Sequence, residues 1–319
     1  MPWVDRTFAL PRVALHARQL EAGGATLVLL HGLSADGSVW QGVGRRLSPP
    51  FTLLAPDLRG HGLSGHPETG YRATDYAEDI AGLIDTLTGD AEAPAVAIPP
   101  LVDLPDRSRE GIVLQRPPNP PASPQGNLRD HSLGARTATG SKPPTVDLLG
   151  HSLGAIAALG AAALRPGSVR RLVLVDPPLD GPHTLPAFLQ RMLDARHRAD
   201  DGAIRGLILE QTPGLSETLL RAYERIWSRV ADGALEAVVS EGDRAFADVT
   251  TWYLHVQAPT LILRADEHLD AACSPAAAAR AVATLPDARA ITLTGASHNI
   301  HAVKPVEFAR HVLAFLQST

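Results

Sequence analysis

Val146-Asp147-Leu148-Leu149-Gly150-His151-Ser152-Leu153-Gly154-Ala155 decides the fold. A short apolar run enters a G-x-S-x-G, and an alanine-rich stretch, Ala155 to Leu164, follows at once. That order predicts a strand, a tight turn and a helix, with Ser152 at the apex of the turn. A serine hydroxyl is a poor nucleophile until the backbone holds it out in this way. Glycines two residues before and after it leave room for the bend, where a side chain would collide. The helix N-terminus then presents the Leu153 N–H and a positive dipole end to a developing oxyanion. In a chain with 27 glycines a chance G-x-S-x-G is the bland alternative. The strand before it and the helix after it argue for the nucleophile.

Outward from this segment, short β-branched apolar runs alternate with longer helical patterns. Strands are predicted near 13–18, 26–30, 52–55, 145–149, 171–175, 259–263 and 289–293, and helices near 38–47, 73–87, 153–164, 275–285 and 305–317. In the second helix Tyr76, Ile80, Leu83, Ile84 and Leu87 recur at three- and four-residue spacing and mark one apolar face. In the last, Val306, Ala309, Val312, Leu313 and Leu316 do the same. The alternation predicts an α/β fold, with a mostly parallel central sheet and helices on both faces.

Three motifs in order carry a resemblance to the α/β-hydrolase superfamily. They are Thr26-Leu27-Val28-Leu29-Leu30-His31-Gly32, Ala55-Pro56-Asp57-Leu58-Arg59-Gly60-His61-Gly62-Leu63-Ser64, and the elbow at Ser152. The resemblance runs from about Val13 to the C-terminus, apart from one interruption near 90–143. It implies a hydrolase core in two parts, 1–178 and 258–319, with a helical cap over 179–257. It also implies the order Ser, acid, His for the catalytic residues, as a base must reach the serine and an acid must orient the base. His298, in Gly295-Ala296-Ser297-His298 after a final strand, matches the family's histidine. His301, three residues on, is read as a surface or supporting group. For the acid, Asp266 in Arg264-Ala265-Asp266 is chosen, beyond the strand Pro259–Leu263 and on the sheet edge where such folds place their sites. Many members carry the acid two residues later, where this chain has His268, so Glu267, Asp270 and Asp176 stay open. The oxyanion hole is expected from the backbone N–H groups of Leu33 and Leu153. Asp57, Arg59, His61 and Ser64 are expected to brace loops at the edge of the site.

Two segments break the alternation. From 88 to 144 the chain holds 11 of its 27 prolines and no aromatic residue, so it can bury little area against its ordering entropy. It is read as a disordered insertion. Within it His131-Ser132-Leu133-Gly134-Ala135 repeats the elbow letters, but Asp130 replaces the first glycine and no apolar strand precedes it. Ser132 is therefore read as a decoy. The second break, 179–257, is different: Leu219, Leu220, Tyr223, Ile226, Trp227 and Val230 recur at helical spacing, as a helical subdomain requires.

Composition bounds the function. At 319 residues and 45% hydrophobic, the chain can bury a large core. A net charge of −5 argues against a nucleic-acid partner. The single cysteine, Cys273, excludes an internal disulfide and, with no signal-peptide pattern and no apolar run near the ~20 residues that span a bilayer, points to a cytoplasmic protein with no membrane partner. No pair among His16, His66, His183, His197, His255 and His311 has zinc-site spacing with a supporting carboxylate, so neither a metal nor another cofactor is expected. A monomer or homodimer acting on a small-molecule ester-like substrate is expected.

The reading is thus a serine hydrolase of small or medium carboxylic esters or lactones, working through an acyl-enzyme on Ser152, His298 and Asp266. Carbon–carbon bond hydrolysis, peracid formation and acyl transfer use the same parts. A slow-turnover ligand sensor of the same fold is the rival from another class. Epoxide hydrolases and haloalkane dehalogenases are disfavoured, because they place Asp where this chain has Ser152.

Overall fold

The computed structural model describes residues 2–89, 144–180, 185–212, 214–242 and 249–318. The proline-rich stretch and Ser132 fall outside the described residues. A hairpin of β1 (Val4–Ala9) and β2 (Ala14–Leu20) opens the chain, followed by β3 (Ala25–Leu30), α1 (Gln41–Leu47), β4 (Phe51–Pro56) and α2 (Ala73–Thr88). Next come β5 (Val146–His151), α3 (Leu153–Leu164) and β6 (Val169–Val175). The chain then leaves the sheet for α4 (Leu185–His197), α5 (Asp201–Gln211), α6 (Glu217–Trp227), α7 (Asp232–Glu241) and α8 (Val249–Trp252). It returns through β7 (Thr260–Arg264), α9 (Pro275–Thr284), β8 (Ala288–Thr292), α10 (Ile300–Val303) and α11 (Pro305–Leu316).

The strands form one eight-stranded sheet in the order β1-β2-β4-β3-β5-β6-β7-β8. β2 runs antiparallel to both neighbours, and every pair from β4 to β8 is parallel. The fold is the expected α/β architecture, and the predicted core strands and helices lie within a few residues of the observed ones. β1 was not expected from the sequence. It pairs only with β2, and all but one of its residues are exposed, so it carries no apolar alternation to read.

Side chains alternate across a strand, so the central strands feed two cores. Val28, Leu30, Leu148, Leu172, Leu174 and Ile262 face α2, α3 and α9, whereas Leu27, Leu29, Leu149, Val173, Leu261 and Leu263 face α1 and α11. From Leu153 to Ala163 every residue of α3 is buried, which its alanine and glycine content permits. A Cβ at Gly160 would stand 2.5 Å from the Ala77 Cβ of α2 and 2.8 Å from the Trp252 ring of α8. α3 is therefore clamped, and it fixes the turn at its N-terminus to the middle of the sheet.

Candidate active site

The candidate residues gather at the C-terminal edge of the parallel strands. Ser152 follows β5 directly, at φ 53° and ψ −119°, and it is the N-cap of α3. A non-glycine residue at positive φ is held there against its own preference, at a typical cost of about 1–3 kcal/mol. The elbow glycines are required by contact. A Cβ at Gly150 would lie 2.1 Å from the Gly154 carbonyl oxygen, and one at Gly154 would lie 2.4 Å from that of Leu30. Ser152 is half-buried, and its N–H donates to the Val175 carbonyl at 3.0 Å, tying the turn to β6.

Asp176 is the equivalent residue one strand over. His151 of β5 is in register with Val175 of β6, so Ser152 and Asp176 leave neighbouring strands at the same level. Asp176 is fully buried and also sits at positive φ, 42°. Its carboxylate accepts His298 Nδ1 at 2.7 Å through Oδ2. The remaining acceptor capacity is filled by N–H groups of the loop after β7: Ala265 at 3.0 Å, Ala272 at 2.8 Å and Cys273 at 3.4 Å.

This geometry corrects the sequence reading of the acid, because the carboxylate on His298 is Asp176 and not Asp266. Asp266 stands on the partly exposed loop beyond β7 and accepts the N–H of His268 at 3.1 Å and of Gly295 at 2.7 Å. The Gly295 N–H, then that of His268, hold its carboxyl below the ordinary range. Both Asp266 oxygens are taken up by these N–H groups, whereas Asp176 Oδ2 meets the His298 ring. Asp270, on the same loop, accepts the His298 N–H at 2.8 Å. Glu267 lies 3.9 Å from Arg264.

His151, read in the sequence only as a letter of the elbow motif, is a structural member of the site. Its Nε2 stands 3.0 Å from the His298 carbonyl oxygen, and the two ring centroids are 4.6 Å apart. Behind it lies His301, 4.9 Å from the His151 ring and 4.6 Å from that of Trp40. His301 is buried, a supporting group rather than a surface one. Burial drives the His151 imidazole well below its usual range, and the same cause brings His301 down to about 4. No local sequence signal marks either role, since stacking depends on loops far apart in the chain.

The two residues expected to supply oxyanion donors lie past β3 and at the start of α3. Leu153 is the first residue of α3, where N–H groups have no helical acceptor. Leu33 lies just past β3 and is buried. Around it, His31 Nδ1 stands 2.8 Å from the Gly32 carbonyl, and His61 Nε2 stands 2.5 Å from the Leu33 carbonyl. Ser34 is exposed. Asp57 accepts the N–H of Gly37 at 2.7 Å, that of Leu63 at 2.9 Å, and pairs with His16 at 2.9 Å. Arg59 and Asp79 form a buried two-pronged ion pair at 2.5 and 2.6 Å. The Asp57–Ser64 segment is thus bonded to its neighbours, as a loop brace requires.

A strand–turn–helix at Ser152, a His–Asp pair joined across the ends of β6 and β8 and a sheet of this order point to a hydrolase class. The alpha/beta hydrolase family model matches residues 27–311, and the chain belongs to that family. It is 27% identical over 324 residues to the 2-(acetamidomethylene)succinate hydrolase of Mesorhizobium japonicum, across 99% of this chain and 96% of that one. The crystal structure of E-2-(acetamidomethylene)succinate hydrolase superposes with TM-score 0.67 at 24% identity, covering 99% of this chain and all of that one. The enol-lactonase of Burkholderia xenovorans LB400 superposes with TM-score 0.66 at 19% identity, over 98% of this chain and 100% of that one. The protein is an enzyme of this hydrolase family. Among the described residues no helix is long and apolar enough to cross a membrane.

Proposed function

We propose that the chain is a serine hydrolase of small or medium carboxylic esters or lactones, acting through an acyl-enzyme on Ser152. His298 takes the hydroxyl proton as Ser152 Oγ attacks the carbonyl carbon, and Asp176 holds the imidazole with Nδ1 protonated. The N–H groups of Leu33 and Leu153 receive the carbonyl oxygen as it becomes an anion. Each such donor is typically worth ~3 kcal/mol in the transition state. Collapse expels the leaving alcohol with the proton from His298. Water, deprotonated by the same histidine, then frees the acid. The helices α4 to α8 serve as the cap and close the substrate space.

The observation that carries this reading is the 2.7 Å bond between His298 and Asp176, with Asp176 placed beside Ser152 by strand register. The test is a panel of esters and lactones of graded acyl length, run with Ser152→Ala in parallel. Turnover that disappears in Ser152→Ala supports the reading, and turnover that persists sinks it.

A second reading is favoured by one observation. The relative that spans nearly the whole chain hydrolyses, by its name, 2-(acetamidomethylene)succinate, an acetamido-substituted unsaturated dicarboxylate. Attack of Ser152 on the acetamido carbonyl of such a compound would use the same parts. Adding that compound to the panel separates the readings by rate.

A further inference from the structure

We propose that His31 is a positioning residue whose fixed tautomer sets the direction of the Leu33 N–H, so that this peptide meets the oxyanion formed at Ser152. The proposal rests on the serine-hydrolase reading above. His31 follows β3 and is fully buried. Its Nε2 lies 2.9 Å from the Leu58 nitrogen. A backbone N–H can only donate, so Nε2 must offer its lone pair. Burial lowers the affinity of the ring for a second proton, which leaves the neutral ring with its hydrogen on Nδ1. The Leu58 amide therefore selects the tautomer.

That hydrogen is directed at the Gly32 carbonyl oxygen, 2.8 Å from Nδ1. The Gly32 carbonyl and the Leu33 N–H belong to one planar peptide, and the described chain contains no cis bond. In a trans peptide the two groups point in opposite directions. Pinning the carbonyl to His31 turns the N–H away from His31. Gly32 itself lies against the elbow, since a Cβ there would come within 3.3 Å of the Ser152 Cβ and 3.1 Å of His151 Nδ1. A side chain at position 32 would press on both, and the glycine that stands there is the residue whose flanking peptides rotate most freely. A rotated peptide would present a carbonyl oxygen to the anion instead of a donor. His31 removes that freedom.

A second clamp acts one peptide later. His61 Nε2 stands 2.5 Å from the Leu33 carbonyl, and its ring meets that of His31 edge-to-face at 5.1 Å. The other ring nitrogen, Nδ1, stands 2.8 Å from the Arg59 carbonyl, so both nitrogens of the His61 ring are held by main-chain acceptors. The two histidines hold the carbonyls of Gly32 and Leu33, and Leu33 has its two adjoining peptides fixed.

The experiment compares wild type, His31→Phe and His31→Asn in the full chain. Active sites are titrated with a fluorophosphonate and kcat is expressed per labelled Ser152. Phenylalanine keeps the ring and removes both hydrogen bonds, and asparagine restores one donor and one acceptor. In His31→Phe we expect kcat per site and the labelling rate to fall ~10²–10³-fold with KM within a few-fold, the effect of losing one oxyanion donor. His31→Asn should recover at least tenfold of that loss. A merely structural role would lower the number of titratable sites and leave kcat per site unchanged, which overturns the proposal. Should His31→Phe not fold, ¹⁵N spectra of selectively labelled wild type decide the matter. A protonated Nδ1 and bare Nε2 on His31 support the proposal, and the opposite tautomer overturns it. A wild type that neither turns over esters nor takes the label overturns the serine-hydrolase reading itself, and this proposal with it.

Discussion

Asp176 and His298 are joined by a 2.7 Å hydrogen bond although 122 residues separate them in the chain. The bond closes the candidate site across the ends of β5 and β6 and over the last loop. Three main-chain N–H groups hold the carboxylate while His298 occupies Oδ2, so a substitution at Asp176 removes an orienting group from a fixed frame. Asp176→Asn should cost roughly 10³–10⁴ in kcat through the wrong imidazole tautomer. Asp266→Asn should cost less than tenfold, since its contacts are to backbone N–H groups only. Steady-state kinetics on one ester check both, and a crippled Asp266→Asn beside an active Asp176→Asn would reverse the assignment.

The two residues that the sequence left least certain explain why part of the site was hidden in it. The turn at Ser152 is legible because strand, glycines and helix are contiguous. The loop of His298 is legible because a final strand and a Gly-x-x-His lie together. Asp176 ends an apolar run as plainly as Asp266 follows one, and the choice turns on which carboxylate the His298 ring meets in space. That contact is a non-local property that no window of sequence contains. The same holds for the ring contacts of His151 and His301 with residues of other loops.

His151 joins the elbow to the base through its Nε2 and the His298 carbonyl at 3.0 Å. His151→Phe keeps the ring contacts with His298 and His301 but loses the donor. Its kcat should fall by up to about tenfold, the worth of one ordinary hydrogen bond, with KM little changed. His151→Gln should regain part of the loss. An unaltered kcat in His151→Phe would show that the ring alone supports the base.

Burial lowers the affinity of His31, His61, His151 and His301 for protons, with His61 at about 3 and His301 at about 4. In the unfolded chain each returns to about 6.5. The unfolded state thus binds more protons between these values, and stability rises with pH there. Stability should be complete above pH 6.5 and decline as pH falls toward 4, by about 1.4 kcal/mol per unit for each group. Urea midpoints from pH 7.5 to 4.5 measure this. His301→Phe, packed against Trp40 and Phe308, should flatten the slope by close to one proton. An unchanged slope would mean that His301 is protonated in the fold.

Ser152 carries its backbone strain for the sake of its position. Its φ of 53° is one that glycine adopts without cost, whereas serine and alanine do not. Ser152→Ala keeps the strain and removes the hydroxyl, and Ser152→Gly removes both. Relief of about 1–3 kcal/mol is offset in part by the larger entropy glycine has in the unfolded chain. Ser152→Gly should therefore be more stable than Ser152→Ala by about 1 kcal/mol in urea unfolding, with neither turning over esters. The comparison separates geometry from chemistry, because only the glycine variant frees the turn. A glycine variant less stable than the alanine one would mean that the elbow is relaxed, and that the turn holds its shape through contacts with β6 and α3 alone.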